Sequence, residues 1–233
     1  MNLENIRMLE LAAEQLGELL EEVVFVGGAT VELWITDEAA PEFRPTDDID
    51  VVVEITTVRD YHRFEKRVRE AGFEHDQESG VICRFKEPGS GLLLDVMPTE
   101  ASILGFENRW QAEAFPHAVE SLLPSGRAIA TIPPPFLLAT KLEAFGTRGK
   151  RDFYGSRDFG DVVALIDGRV ELADEVGVAP EPLRVYVADQ IEELLRHPHF
   201  DNGIEGALAG PEAFERLELV VRPRIAEITA SRP

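Results

Sequence analysis

The strongest constraint on the fold lies between Val23 and Val53. Four apolar strand formers, Val23-Val24-Phe25-Val26, end at Gly27-Gly28. A helix-like stretch follows over Ala29–Ile35, then a loop carrying Pro41 and Pro45. Asp48-Ile49-Asp50 then opens a second apolar run through Ile55. Successive strand residues point to opposite faces, so Asp48 and Asp50 share a face, with Cα atoms ~6–7 Å apart. A Gly-Gly turn lets a phosphate approach the backbone and leaves the N–H groups of the following helix directed outward. The spacing matches neither a Walker loop nor a dinucleotide fingerprint, because no Gly-Lys-Ser/Thr follows and Gly27-Gly28-Ala29-Thr30-Val31-Glu32 lacks the Gly-x-Gly-x-x-Gly spacing. Glycines beside two same-facing carboxylates point to nucleotide chemistry.

A third carboxylate, Asp95, interrupts Leu92-Leu93-Leu94-Asp95-Val96-Met97. An acid inside an apolar strand is costly to bury unless it is paired or metal-bound. If the two strands are neighbours, Asp48, Asp50 and Asp95 converge, and a divalent cation would relieve their mutual repulsion. Oxygen ligands favour Mg²⁺ or Mn²⁺ over zinc. The alternatives are a turn cap for Asp48, a strand-edge position for Asp50, and an ion pair from Asp95 to Arg84 or Lys86.

Composition narrows the class. The 233 residues are 44% hydrophobic, enough for a real core, with a formal charge of −21 from 44 acidic and 23 basic residues. That balance opposes non-specific nucleic-acid binding, which needs Lys and Arg against phosphates. Basic residues nevertheless gather at Lys141, Arg148, Lys150, Arg151 and Arg157. The lone Cys83 excludes an internal disulfide and a multi-cysteine zinc site, and reads as a strand residue in the core. No apolar run is long enough to span a bilayer, and Met1-Asn2-Leu3-Glu4-Asn5 has no signal-peptide character, so a cytoplasmic protein without membrane contact is expected.

The periodicities predict an amphipathic helix over 3–22, a helix over 57–71 with Val58, Tyr61, Phe64 and Val68 on one face, and strands at 81–85 and 92–97 joined by a hairpin loop. Ile132-Pro133-Pro134-Pro135 is stiff punctuation. Beyond it helices are predicted over 135–145, 156–166, 182–196 and 211–229. The fold class is therefore α/β followed by a mainly helical C-terminal half, with domains expected at 1–130 and 131–233. His62 and His75 have no evident partner in the sequence, and His197-Pro198-His199 reads as a surface loop.

At these residues the chain resembles the polymerase-β-like nucleotidyltransferases. Their signature is a Gly-Gly or Gly-Ser turn, an Asp-x-Asp on a strand and an acid on a later strand, matched here by Gly27-Gly28, Asp48, Asp50 and Asp95. Arg44-Pro45-Thr46-Asp47-Asp48-Ile49-Asp50 is similar to the lead-in of AbiEii-type toxin nucleotidyltransferases and their MenT-like relatives. Lys141-Leu142-Glu143-Ala144, Arg148, Arg151-Asp152 and Arg157-Asp158-Phe159-Gly160-Asp161 resemble that group's C-terminal pattern. Gly28 stands where many members have serine, which removes a hydroxyl that could touch phosphate.

The resemblance implies a mixed sheet with flanking helices, and a helical domain completing the active-site cleft. It implies that Asp48, Asp50 and Asp95 bind Mg²⁺ or Mn²⁺, with Asp95 also activating the acceptor hydroxyl. Gly27, Gly28, Lys141, Asp158 and Asp161 would bind the nucleoside triphosphate. Asp158 and Asp161 lie three apart on one helical face, and the alternative for them is compensation of the helix dipole after Ser156. For Lys141 the alternative is an exposed helix lysine. The implied activity is transfer of a nucleoside monophosphate to a hydroxyl of RNA, such as a tRNA end, or of a protein, with an antitoxin as a possible partner. Arg148, Lys150, Arg151 and Arg157 are the residues for RNA. An aminoglycoside-type small molecule is the other enzyme reading, and a non-catalytic nucleotide-binding module the third.

Overall fold

The computed structural model describes residues 3–105, 108–149 and 151–232. The chain divides into two units, Met1–Leu33 with Arg44–Pro133, and Trp34–Phe43 with Pro134–Pro233.

The first unit is built on a mixed seven-stranded sheet. In chain order its elements are α1 (Leu3–Leu16), β1 (Val23–Val26), α2 (Gly27–Trp34, whose last residue belongs to the second unit), β2 (Ile49–Val53), α3 (Val58–Glu70), β3 (Glu74–His75), β4 (Arg84–Lys86), β5 (Leu93–Pro98), α4 (Arg109–Ala114), β6 (Val119–Leu122) and β7 (Ala128–Thr131). The strand order is β3-β4-β5-β2-β1-β7-β6. β2 pairs antiparallel with β1 and parallel with β5, while β1 pairs parallel with β7.

Alternation along the strands separates core from chemistry. Ile49, Val51 and Val53 of β2, with Leu94 and Val96 of β5, join the apolar cluster formed by Ile6, Leu9 and Leu16 of α1 and Tyr61, Phe64 and Val68 of α3. Residues of opposite parity, Asp50 and Asp95 among them, face the other way. α3 starts where the Thr57 side chain accepts a hydrogen bond from the Asp60 N–H at 3.2 Å, and the Tyr61 hydroxyl fastens it to β5 by donating to the Val96 carbonyl at 2.9 Å. Val58 is exposed, off the buried face expected for it.

The first helix is shorter than its periodicity predicts. Gly17 adopts φ +56°, which closes α1, and Gly17–Glu22 continue as a 3₁₀ turn. The β6–β7 hairpin was not read from the sequence. Its strands are short, and exposed Val119 and Leu122 break the usual apolar alternation. Cys83 lies in the turn before β4 rather than on a strand; burial pushes its thiol up to about 12, an inert core residue.

The second unit contains α5 (Pro134–Gly146), α6 (Arg157–Gly168), α7 (Leu172–Val178), α8 (Glu181–Leu195), α9 (Phe200–Leu208), α10 (Ala213–Arg216) and α11 (Arg222–Ala230), the last two joined by a π-turn at Leu217–Val221. α7 and α9 escaped the sequence reading because each is short. Phe145, Phe153 and Phe159 pack ring on ring with centroids 4.9–5.1 Å apart, holding loop residue Phe153 against α5 and α6. His197 stacks on Phe153 and His199 meets Tyr154, so the His-Pro-His loop is held by ring contacts.

The segment 34–43 joins this unit through buried Arg216. Its guanidinium donates to Asp167 at 2.8 Å, to the Ala39 carbonyl at 2.9 Å and to Asp37 at 3.0 Å. The Thr36 and Asp37 N–H groups also donate to the Gly168 carbonyl, each at 2.9 Å. Among the described residues no helix is long and apolar enough to cross a membrane.

Candidate active site

The acidic face of the sheet is a row of register partners. Arg84 of β4 lies opposite Asp95 of β5, Asp95 opposite Asp50 of β2, and Asp50 opposite Val26 of β1. Gly27 follows Val26 directly, with φ +77°. A Cβ there would fall 2.6 Å from the Asp50 carboxyl carbon. The glycine is required twice, by its backbone conformation and by the carboxylate occupying its side-chain space. Strand, glycine turn and Asp-x-Asp are thus one interlocked feature. Gly28 is buried in the first turn of α2.

Asp48 sits one residue before β2 and is part-buried. Its lead-in is fixed by Asn5 of α1, a fully buried residue the sequence reading passed over. Asn5 donates to the Arg44 carbonyl at 3.0 Å and accepts from the Thr46 N–H at 2.8 Å. The available signal was a polar residue at inward helical spacing from Leu9 and Ala12, which is unfavourable unless its amide is satisfied.

Asp48 and Asp95 meet at a common cation, the guanidinium of Arg84. It contacts Asp95 through Nε and Nη2, both at 2.7 Å, and Asp48 through Nη2. The Asp95 hydrogen bond first, then the charges of Asp95, Asp48 and Asp50, hold Arg84 protonated well above its ordinary value. The ion pair considered for Asp95 on sequence grounds is present, and it includes Asp48. Among the described residues no group of three or more acidic, His or Cys side chains is arranged as a metal cage. The side chains are set around a guanidinium instead. The donors are hard carboxylate oxygens, the ligand type of Mg²⁺ and Mn²⁺, and the guanidinium is a stand-in cation between two of them. The residues therefore fit such an ion chemically, given a change of side-chain arrangement.

The second group of predicted residues lies in the helical unit. Lys141 of α5 is buried rather than an exposed helix lysine. Its ammonium lies 2.6 Å from Asp161 and 3.4 Å from Asp158, the two acids on one face of α6. Arg148 adds a fork to Asp158, Nε and Nη2 each at 3.0 Å. Burial pushes the Asp158 carboxyl up, but the Arg148 hydrogen bond and the charges of Lys141 and Arg148 outweigh it, and the net shift is downward. Ser156 caps α6 by accepting from the Phe159 N–H at 3.4 Å, so the helix start has its own cap while Asp158 and Asp161 serve Lys141.

Among the described residues, two arginines of the basic run are engaged by carboxylates. Arg148 is engaged by Asp158, and Arg151, at φ +55°, by Glu193 at 2.6 Å. Arg157 is exposed. Lys150 lies outside the described residues. His62 and His75 do have a partner: both hydrogen-bond buried Glu65, at 2.7 and 3.1 Å. A cavity of about 460 Å³ lined by Glu22, Val53, Arg63, Phe64 and Phe115 lies at the far end of β2 from Asp50 and contains none of the acidic row.

A mixed sheet presenting a strand–Gly-Gly–helix turn against an Asp-x-Asp strand, followed by a helical half, defines a nucleotidyltransferase-type protein. Residues 11–219 match the family model described as nucleotidyl transferase AbiEii toxin, type IV TA system, and the chain belongs to that family. No curated protein matches it. The family gives the chain a nucleotidyltransferase activity of toxin type in general terms.

Proposed function

We propose that the protein is a divalent-metal-dependent nucleotidyltransferase that moves a nucleoside monophosphate from an NTP to a hydroxyl acceptor, with RNA or protein as the acceptor and an antitoxin as its regulator. The observation that carries this reading is the Gly27–Asp50–Asp95 row. The turn leaves no room for a side chain because a carboxylate fills it, and a second carboxylate faces the first across paired strands.

Asp48, Asp50 and Asp95 would hold Mg²⁺ or Mn²⁺, which supplies charge neutralisation for the triphosphate and the leaving pyrophosphate. Asp95 is also the proposed acceptor of the attacking hydroxyl's proton. Gly27 and Gly28 would let phosphate oxygens approach the backbone at the start of α2. Lys141, its ammonium fixed by Asp158 and Asp161, would act as a positioned charge toward phosphate. Arg148, Lys150, Arg151 and Arg157 are the proposed RNA-facing residues.

The test is incubation with each α-³²P-labelled NTP, Mg²⁺ and total RNA or lysate, for the wild type and Asp50→Asn. Label should pass to RNA or protein, and the substitution should lower transfer by ~10³-fold, the scale of losing direct transition-state charge stabilisation. Label transfer unchanged by the substitution would place the chemistry elsewhere.

A cationic small-molecule acceptor is the second reading. The formal charge of −21 favours it, as does the pairing of Arg148 and Arg151 with carboxylates. RNA modification should weaken steeply as salt rises, and Arg148→Ala with Arg151→Ala should abolish it. Transfer to an aminoglycoside that ignores both changes would select the small molecule. Calorimetry showing neither Mg²⁺ nor NTP binding would leave a non-catalytic module.

A further inference from the structure

The acidic row contains a cation of its own. Arg84 projects from β4, a three-residue strand beside the two-residue edge strand β3, and just ahead of it runs a stretch without helix or strand, residues 76–83. Its guanidinium uses both sides of its fork on Asp95 and reaches Asp48 with the same Nη2. The side chains are not sealed: Arg84 is 15% exposed and Asp48 23%. Two carboxylates, Asp95 on β5 and Asp48 one residue before the adjacent β2, are thus bridged by a charge on a long, rotatable stem. A divalent ion binding those oxygens competes with the guanidinium for the same lone pairs, and two like cations cannot share them at contact distance without strong repulsion.

We propose that Arg84 is an internal counter-cation: it holds the Asp48–Asp95 face together in the metal-free protein and gives way when a divalent cation binds, so that Arg84 sets the metal affinity of the site. This rests on the metal-dependent reading above. The arginine prevents close carboxylates from repelling one another before metal arrives, and it raises the metal concentration needed to occupy the site. Lysine at this position would provide the charge without the fork and grip the pair less firmly.

The experiment is Mn²⁺ titration by calorimetry on the full chain without nucleotide, for wild type, Arg84→Ala and Arg84→Lys, paired with thermal melting in EDTA and in Mn²⁺. Arg84→Ala should bind Mn²⁺ at least about tenfold tighter than wild type, with Arg84→Lys between them. In EDTA, Arg84→Ala should melt below wild type, and saturating Mn²⁺ should raise its melting temperature by more than it raises the wild type's. Equal or weaker Mn²⁺ binding by the variants, with wild type still binding, overturns the proposal and leaves the metal reading intact. Absence of Mn²⁺ binding to every form overturns both. If Arg84→Ala does not fold, Arg84→Lys decides: an affinity equal to wild type overturns the proposal.

Discussion

The two units each contain a cluster of acids around a buried or part-buried base, and the clusters differ in kind. In the sheet, Arg84 bridges Asp48 and Asp95 with side-chain exposures of 15%, 23% and 11%. In the helices, Lys141 lies between Asp158 and Asp161 with exposures of 7%, 10% and 0%. The first cluster reaches water, as an exchange of partners by its base requires. The second is more deeply buried, and removing its base takes a close partner from a buried carboxylate. A base between two acids is thus partly open to water in one place and almost fully buried in the other. Substitutions in the sheet cluster should move activity and metal binding ahead of stability, while substitutions in the helical cluster should move stability along with activity.

The largest effect expected from breaking this contrast is in the helices. Lys141→Met removes the ammonium 2.6 Å from Asp161, whose side chain is 0% exposed, and urea denaturation should show a loss of about 3–5 kcal/mol. A loss below about 1 kcal/mol would mean the cluster is open after all. Gly27→Ala comes next, placing a methyl group on the Asp50 carboxylate in a positive-φ conformation. It should cost about 2–3 kcal/mol and displace Asp50, read as a lower melting temperature together with lost NMP transfer. By contrast, Asp50→Asn should lower transfer ~10³-fold with a melting temperature within a few degrees of wild type.

Acid should separate the regions further. Asp158 is held below its ordinary value by Arg148 and Lys141 despite burial. A depressed carboxyl contributes stability that is fully present above the unfolded-state value near 4 and is lost as pH falls through the folded one. Urea midpoints should therefore drop between about pH 4 and the lower folded value, and the drop should shrink in Asp158→Asn. The smallest effect belongs to Arg148→Ala. Its side chain is 73% exposed, and its loss should cost no more than about 1 kcal/mol.

Much of the site was legible because it is local. The β1 turn and Asp48-Ile49-Asp50 announce themselves through β-formers, glycine and alternation, all properties of a few adjacent residues. The capped helices α3 and α6 were readable for the same reason: Thr57 and Ser156 precede apolar residues at helical spacing. Arg84 could be considered as a partner for Asp95, because both fall on strands of one predicted hairpin. Its second contact to Asp48 could not be read, since β2 and β4 touch the same strand, β5, only in the folded sheet. Asn5 and Arg216 were missed because their partners are distant in sequence: Arg44 and Thr46 for one, Asp37, Ala39 and Asp167 for the other. His62 and His75 likewise share Glu65 through the packing of α3 beside β3.

The sequence by itself determined the α/β-then-helical order and the glycine turn after the first strand, because periodicity and backbone preference act over a few residues. Only the tertiary structure decided that Asp95 pairs in register with Asp50, that Gly27 yields its side-chain space to a carboxylate, and that Arg84 joins Asp48 to Asp95. Those facts depend on strand register and on which strands are neighbours, and both are set by burying the α1–α3 face of the sheet as a whole.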